Sequence, residues 1–391
     1  MSNPPLHGVR VVELARILAG PWAGQLLADL GADVIKVENP EKGDDTRGWG
    51  PPFVTGQDGE NLSAAYFHAC NRGKRSIAVD FSTPDGAETI RKLAASADVF
   101  IENFKLGGLK KYGLDYDSLR AINPKLIYCS ITGFGQDGPY ASRAGYDFII
   151  QGMSGLMSIT GPAGGEPQKV GVAVTDLFTG LYSVIAIQAA LRHAEATGEG
   201  QHIDMALFDA QIAVLANQNM NFLVSGKAPV QMGNAHPNIA PYEVLPVSDG
   251  HIILAVGNDG QFRKFCGVVG LEALPDDPAF ATNAARVANR SALRPKLEAA
   301  MAAWAKADIL AKLEAAGVPA SPINTIADMF ADPQTVARGM RLDLDDGHGN
   351  ALPSVRSPIR MDVTPLHYDR PSPRLGEHTA EVLAELEAGK R

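Results

Sequence analysis

The sequence predicts an α/β protein: a parallel sheet with helices on both faces, joined to a smaller α+β region. Three observations predict it. Over the first 134 residues short apolar runs alternate with helix-length amphipathic stretches, the signature of repeated βαβ units. A long apolar stretch at 171–191 reads as a buried helix. After residue 227 the pattern changes to two adjacent strands followed by helices.

Taken in order, VRVVEL (9–14) reads as a buried strand and PWAGQLLADLGA (21–32) as a helix with Pro21 at its first position. VIKVE (34–38) completes the first βαβ unit. SIAVDF (76–81), STPDGAETIRKLAASA (82–97), VFIENF (99–104) and LIYCSITGF (126–134) continue the alternation. The first βα turn, ELARILAGP, has no GxGxxG, so the phosphate cradle of a dinucleotide-binding site is missing. Beyond the apolar segment IAVLANQNMNFLV, YEVLPVSDGHIILAV (242–256) predicts two strands around a Ser-Asp-Gly turn. Residues 284–316 keep helical apolar spacing through Leu293, Leu297, Met301, Trp304 and Leu310 up to Gly317 and Pro319. From about 326 the chain is Pro-rich, with MRLDL and IRMDV as possible strands and GEHTAEVLAEL (376–386) as a last helix. The expected domains are 1–226, a smaller 227–325, and a tail, 326–391, that returns to the first.

Composition narrows the function. At 391 residues, 45% apolar and 20% charged, the chain has enough apolar material for two packed domains. A net charge of −9 argues against a nucleic-acid partner, which would call for a basic face. No basic leader precedes an apolar run, and no stretch reads as a membrane span, so the expected location is cytoplasmic. Cys70, Cys129 and Cys266 lie far apart without metal-ligand spacing, so they are expected to be reduced, buried thiols, and no metal is expected.

Asp176 stands at the joint between a polar-flanked loop and the apolar run, near a helix N-terminus. Backbone N–H groups and the helix dipole there favour a permanently ionised carboxylate at the edge of a dry interior. Such a group can be an ordinary helix cap or a nucleophile toward an activated acyl group.

The ordered series ELARILAGPWAGQLLADLGADVIKVE, NRGKRSIAVDF, ADVFIENF, GYDFIIQGMSGLMSITG, VAVTDLFTG, GEGQHIDMALFDA and LGEHTAEVL resembles the class III CoA-transferases, the formyl-CoA transferase and CaiB/BaiF group, nearly end to end. The resemblance implies an interlocked homodimer with a large Rossmann-like domain built from both chain ends and a smaller central domain. It makes Asp176 the catalytic residue that attacks an acyl-CoA thioester. It also implies transfer of CoA, a substrate and not a bound cofactor, from an acyl-CoA donor to a carboxylic acid acceptor.

Residue by residue, the family's CoA contacts fall on Ile17, Leu18 and Ala19, on Val79, Asp80, Phe81 and Ser82, on Asn103, Phe104 and Lys105, and on Lys111, Tyr146 and Asp147. Asn39 stands where the formyl-CoA enzyme has arginine, so a phosphate contact there falls to Lys42 or Arg47, with Arg16, Arg75 and Arg143 as further candidates. Gly233, Asn234 and His236 match a loop that covers the acyl-enzyme. Each position also has a structural reading: Ile17 to Ala19 as core packing, Asn103 as a strand-end residue satisfying backbone groups, Lys105 and Lys111 as solvated charges, Tyr146 as a loop anchor, Asp147 as a cap of the IIQGM segment, and His236 as a turn residue.

GNAHPNIAPYEV and DGHIILAVGNDGQFRKFC resemble the branch that uses succinyl-CoA with small dicarboxylates. Two alternatives remain at this point. One is an α-methylacyl-CoA racemase, whose GHD segment corresponds to Gly145-Tyr146-Asp147 here. The other is a non-catalytic CoA-binding subunit.

Overall fold

A computed structural model describes residues 3–389. Eight strands belong to its first part: β1 Arg10–Glu13, β2 Asp33–Glu38, β3 Phe53–Thr55, β4 Asn61–Ala64, β5 Arg75–Ala78, β6 Val99–Glu102, β7 Ile127–Thr132 and β8 His202–Ala206. Six of them form one sheet in the order β5-β2-β1-β6-β7-β8, every neighbour parallel. The chain winds outward from β1 on one side, then returns to β6 and winds outward on the other. This is the doubly wound order, and the direction of winding reverses between β1 and β6.

The inner strands send apolar side chains toward both faces because helices cover both. Val11, Ile101 and Cys129 face one cluster with Leu27 and Ile187. Val12, Phe100 and Ile35 face the other, with Leu93 and Val382. Cys70, Cys129 and Cys266 are free and buried, as expected.

Several sequence expectations need correction. The first helix spans Ala19–Asp29, so Pro21 is the third residue of its first turn, where an N–H has no intrahelical partner to lose. The sixth strand, β8, was not anticipated, because HIDMA mixes charged and apolar residues where an inner strand would be uniformly apolar. In the tail, β12 Arg341–Asp345 pairs antiparallel with β13 Ala351–Val355. The IRMDV segment is not a strand, and its Ile359, Met361 and Val363 are exposed.

The helix Val174–Thr197 is also longer than the apolar run suggested. The helix, of 24 residues, is long and apolar enough to cross a membrane by length and composition: an 18-residue stretch of it has mean hydropathy 1.5, and 39% of that stretch is buried within the protein. Its inward face carries Thr175, Thr179 and Ser183, whose burial is satisfied because the Thr175 hydroxyl donates to Gln211 Oε1 and those of Thr179 and Ser183 donate to the carbonyls of Thr175 and Thr179. Gly180 permits close passage of the first helix: a Cβ there would stand 2.8 Å from the Ala19 carbonyl oxygen.

The chain divides into two compact units, residues 1–156, 169–225 and 333–391 in the first and 157–168 with 226–332 in the second. Residues 157–168, assigned by sequence to the first domain, thus belong to the second. In the first unit the tail is locked by Arg75, which pairs with Asp33, Glu381 and Glu385. Val382 of the last helix, Thr379–Glu387, is fully buried.

The second unit is an antiparallel sheet, β11-β10-β9, made of β9 Tyr242–Val247, β10 Gly250–Ala255 and β11 Ala320–Pro322. Helices pack on it through Phe262, Phe265, Leu293, Leu297 and Met301, with Trp304 and Leu310 at the margin.

Candidate active site

In a doubly wound sheet the crevice beyond the carboxyl ends of the strands, at the winding reversal, is where ligands bind. A cleft of about 510 Å³ opens there. It is walled by the Arg16–Ala19 turn after β1, by Asn103–Leu106 after β6, and by Arg143–Asp147 after β7, with Asp176 in its lining. A second cleft of about 300 Å³ adjoins it, sharing Arg16, Phe81, Phe104 and Tyr112 and adding Asn39, Asp80 and Ser82. Phe81 meets Phe104 and Tyr112 edge to face, each at 5.4 Å, forming an aromatic wall between the two.

The sequence-expected residues sort clearly. Ile17, Leu18, Ala19, Asn103, Phe104, Lys105, Lys111, Tyr146, Asp147 and Asp176 line the larger cleft, and Asn39, Asp80 and Ser82 line the smaller. Val79 lines neither and packs on the core. The Asn103 side chain is spent on structure: its amide donates to the Arg16 carbonyl at 2.7 Å and its oxygen accepts from the Arg16 N–H at 2.9 Å, strapping together the two loops at the reversal.

Two candidate cations are not available to a ligand. Arg47 pairs with Glu38 through two bonds of 2.7 Å and lies over the Phe67 ring, while Arg75 holds the tail. Lys42 uses its backbone N–H on Asn39 and lines neither cleft. Arg16 pairs with Asp45 at the surface. Arg143, over the Tyr140 ring, joins Lys105 and Lys111 as a cleft cation.

Gly233, Asn234 and His236 lie in the second unit. There His236 accepts the Asn238 N–H through Nδ1 and tilts against Tyr242, and its carbonyl accepts from Arg290.

The protonation expected for Asp176 is overturned. Asp176 is the third residue of the helix Val174–Thr197 and caps nothing. Instead Asp147 caps this helix from another segment, its Oδ1 accepting the Thr175 N–H at 2.8 Å and its Oδ2 accepting Gln151 Nε2 at 2.7 Å. Asp147 is itself the first residue of the helix Asp147–Met153, not the cap of that segment. No hydrogen bond to the Asp176 carboxylate forms among the described residues. Burial first, and the negative Asp147 second, push Asp176 up to about 7.

Asp147 is placed by a close backbone crossing. A Cβ on Gly145 would lie 2.3 Å from the Gly133 Cα, so both positions must lack a side chain. Tyr66, which no sequence pattern marks, stands within electrostatic reach of Asp176. Burial and that carboxylate raise its phenol to about 12, so it keeps its proton.

The Arg16–Ala19 turn carries strain. Ile17 has φ +74°, in the left-handed region that a β-branched residue avoids, at a cost of about 1–3 kcal/mol.

The model for CoA-transferase family III matches residues 6–379. The chain is 66% identical over 389 residues to the succinate–glutarate CoA-transferase of Agrobacterium fabrum, covering 100% of this chain and 97% of that protein. It is 42% identical over 387 residues to the succinyl-CoA:glutarate CoA-transferase of Homo sapiens, covering 99% and 87%. Among solved structures, a CaiB/BaiF family protein from Brucella suis shares 64% identity with a TM-score of 0.88, covering 98% of this chain and 100% of that one.

Proposed function

The chain belongs to CoA-transferase family III and is a CoA-transferase, and on that premise we propose that it moves CoA from succinyl-CoA to glutarate or a similar short dicarboxylate through covalent attachment at Asp176. The relatives at 66% and 42% identity bear the names of that exchange. The full-length relatives at 66% and 42% identity, named as CoA-transferases, weigh against the racemase and non-catalytic alternatives.

The observation that carries the role of Asp176 is its place in the cleft lining with no hydrogen bond and an acidity near neutrality. A carboxylate solvated by several donors is a poor nucleophile, whereas one of higher basicity attacks more readily and is still largely ionised just above pH 7. Its oxygen forms a C–O bond to the thioester carbonyl carbon and the C–S bond breaks, leaving a mixed anhydride and CoA thiolate. Thiolate then attacks the Asp176 side-chain carbonyl, releasing succinate and forming an aspartyl thioester. The acceptor carboxylate attacks that thioester, again freeing thiolate, and attack of thiolate on the acceptor's acyl carbon yields the new CoA thioester and restores Asp176. Each step exchanges one carboxylate or thiolate for another, so the cycle consumes no net proton.

For the substrate CoA, the Phe81–Phe104–Tyr112 wall suits the flat adenine, and Lys105, Lys111 and Arg143 suit the phosphates. The test is mass spectrometry of wild type and Asp176→Ala given succinyl-CoA and glutarate. Wild type is expected to form glutaryl-CoA and a trappable acyl adduct at Asp176; equal product from the variant refutes the covalent role.

We also propose that the chain is a homodimer. Phe148, Ile149 and Met153, Leu181 and Ile185, and Phe222, Leu223 and Val224 leave apolar side chains exposed in the first unit, more than isolated surface residues explain. A solution mass of one chain, measured by light scattering, refutes this.

A further inference from the structure

The strained turn at Ile17 is gripped from inside the protein by charged side chains that the chemistry does not use. Glu13, Lys36 and Lys74 are 0% exposed and Asp44 is 1% exposed. Lys36 Nζ donates to the Ala15 carbonyl at 3.0 Å, and it lies 3.0 Å from Glu13 and 2.9 Å from Asp44. Asp44 in turn accepts the Ile17 N–H at 3.2 and 3.3 Å. Lys74 Nζ, 2.7 Å from Glu13, donates to the Pro21 carbonyl at 2.8 Å. The network therefore holds the backbone from 15 to 21 at three points, one of them the residue at φ +74°.

Stability alone is a poor reason for such a cluster, because well-packed apolar residues of similar volume commonly serve as well or better. What ions supply here is geometry, since a fixed acceptor under an N–H sets the orientation of that peptide. Backbone in a sparsely populated region persists only when its surroundings over-determine it.

We infer that Asp44 is a positioning residue for CoA binding: held by Lys36 and by Thr46, it clamps the Ile17 peptide in the left-handed conformation that shapes the wall of the cleft. Thr46 completes the clamp, its N–H and hydroxyl donating to Asp44 Oδ1 at 3.0 and 2.7 Å. The inference rests on reading the cleft as the CoA site.

The experiment is calorimetric titration of the full chain with coenzyme A, without any acid acceptor, alongside steady-state kinetics. Asp44→Asn keeps the shape and removes the charge that Lys36 holds; it is expected to raise the Kd for CoA about tenfold and to raise KM for acyl-CoA more than it lowers kcat. Thr46→Val, which removes one donor to Asp44, is expected to move Kd the same way about threefold, and it decides the matter if Asp44→Asn does not fold. Adding Ile17→Gly to Asp44→Asn is expected to recover part of the lost affinity, because glycine occupies this region without a clamp. A merely structural Asp44 predicts no such rescue. Variants that bind CoA as tightly as wild type, or a double variant no better than Asp44→Asn, overturn the clamp; a wild type that binds no CoA overturns instead the assignment of the cleft.

Discussion

Replacing Asp176 with asparagine separates the cost of this carboxylate from its use. In the folded protein the group is raised from 3.8 to about 7, so between those values the native state holds a proton that the unfolded chain has released. Stability attributable to Asp176 therefore falls as pH rises through that window, and above it the whole penalty is present. At about 1.4 kcal/mol per pH unit, the two units between pH 5 and pH 7 are worth about 2–3 kcal/mol. Asparagine does not titrate, so Asp176→Asn should gain on wild type by roughly that amount between pH 5 and pH 8. Urea unfolding followed by the fluorescence of the three tryptophans measures the gap at both pH values. The same ionisation makes the single-turnover acylation rate of wild type rise about tenfold from pH 6 to pH 8, while the variant should form no acyl adduct. A stability gap that stays constant with pH, or a wild type that is the more stable at pH 8, refutes the account of Asp176 as a half-buried carboxylate without a hydrogen-bond donor.

Asp147→Asn removes the negative charge that helps to raise Asp176 while keeping an oxygen for the Thr175 N–H. The midpoint of the acylation pH profile should move below that of wild type, and an upward or absent shift contradicts the electrostatic pairing. The same change deprives Gln151 of its acceptor and should cost about 1–2 kcal/mol of stability in urea unfolding. Gly145→Ala forces a methyl against Gly133 and should cost about 1–3 kcal/mol or more, with CoA affinity lost as Tyr146 and Asp147 are displaced; wild-type affinity by calorimetry would rule the close crossing out. Val382→Ala, at a fully buried position of the last helix, should destabilise the first unit by about 1–3 kcal/mol, and an unchanged unfolding midpoint would show that the helix does not dock.

What could be read from the chain follows from how local each signal is. β1, β2, β6 and β7 each hold consecutive apolar residues that face both sides of the sheet, so their strand character shows in the sequence. β8 hides because His202 and Asp204 interrupt its pattern, although His202 is occupied by Ser130 at 2.9 Å and Asp204 by the Gln136 N–H. The cleft residues Ile17 to Ala19, Phe104 and Lys105 were legible only through the resemblance to the family; that they follow β1 and β6, at the reversal of winding, shows in the structure. Asp44 was not, because its role lies in the N–H of a residue 27 positions earlier. Asp176 was placed correctly at a helix start yet assigned the wrong acidity, since nothing in VAVTDLFTG discloses how far the fold withdraws the carboxylate from water, nor that Asp147 already occupies the helix end.

The docking of the last helix onto β5 sets an order on how the protein is made. Arg75 leaves the ribosome 306 and 310 residues ahead of its partners Glu381 and Glu385, and Arg10 375 residues ahead of Glu385. The sheet that houses the chemistry must wait, its face open where Val382 will sit, while both segments of the second unit, 157–168 and 226–332, have already been synthesised. A nascent chain halted before residue 376 thus leaves Asp33 as the one carboxylate shared by both guanidinium groups, and an apolar sheet face uncovered.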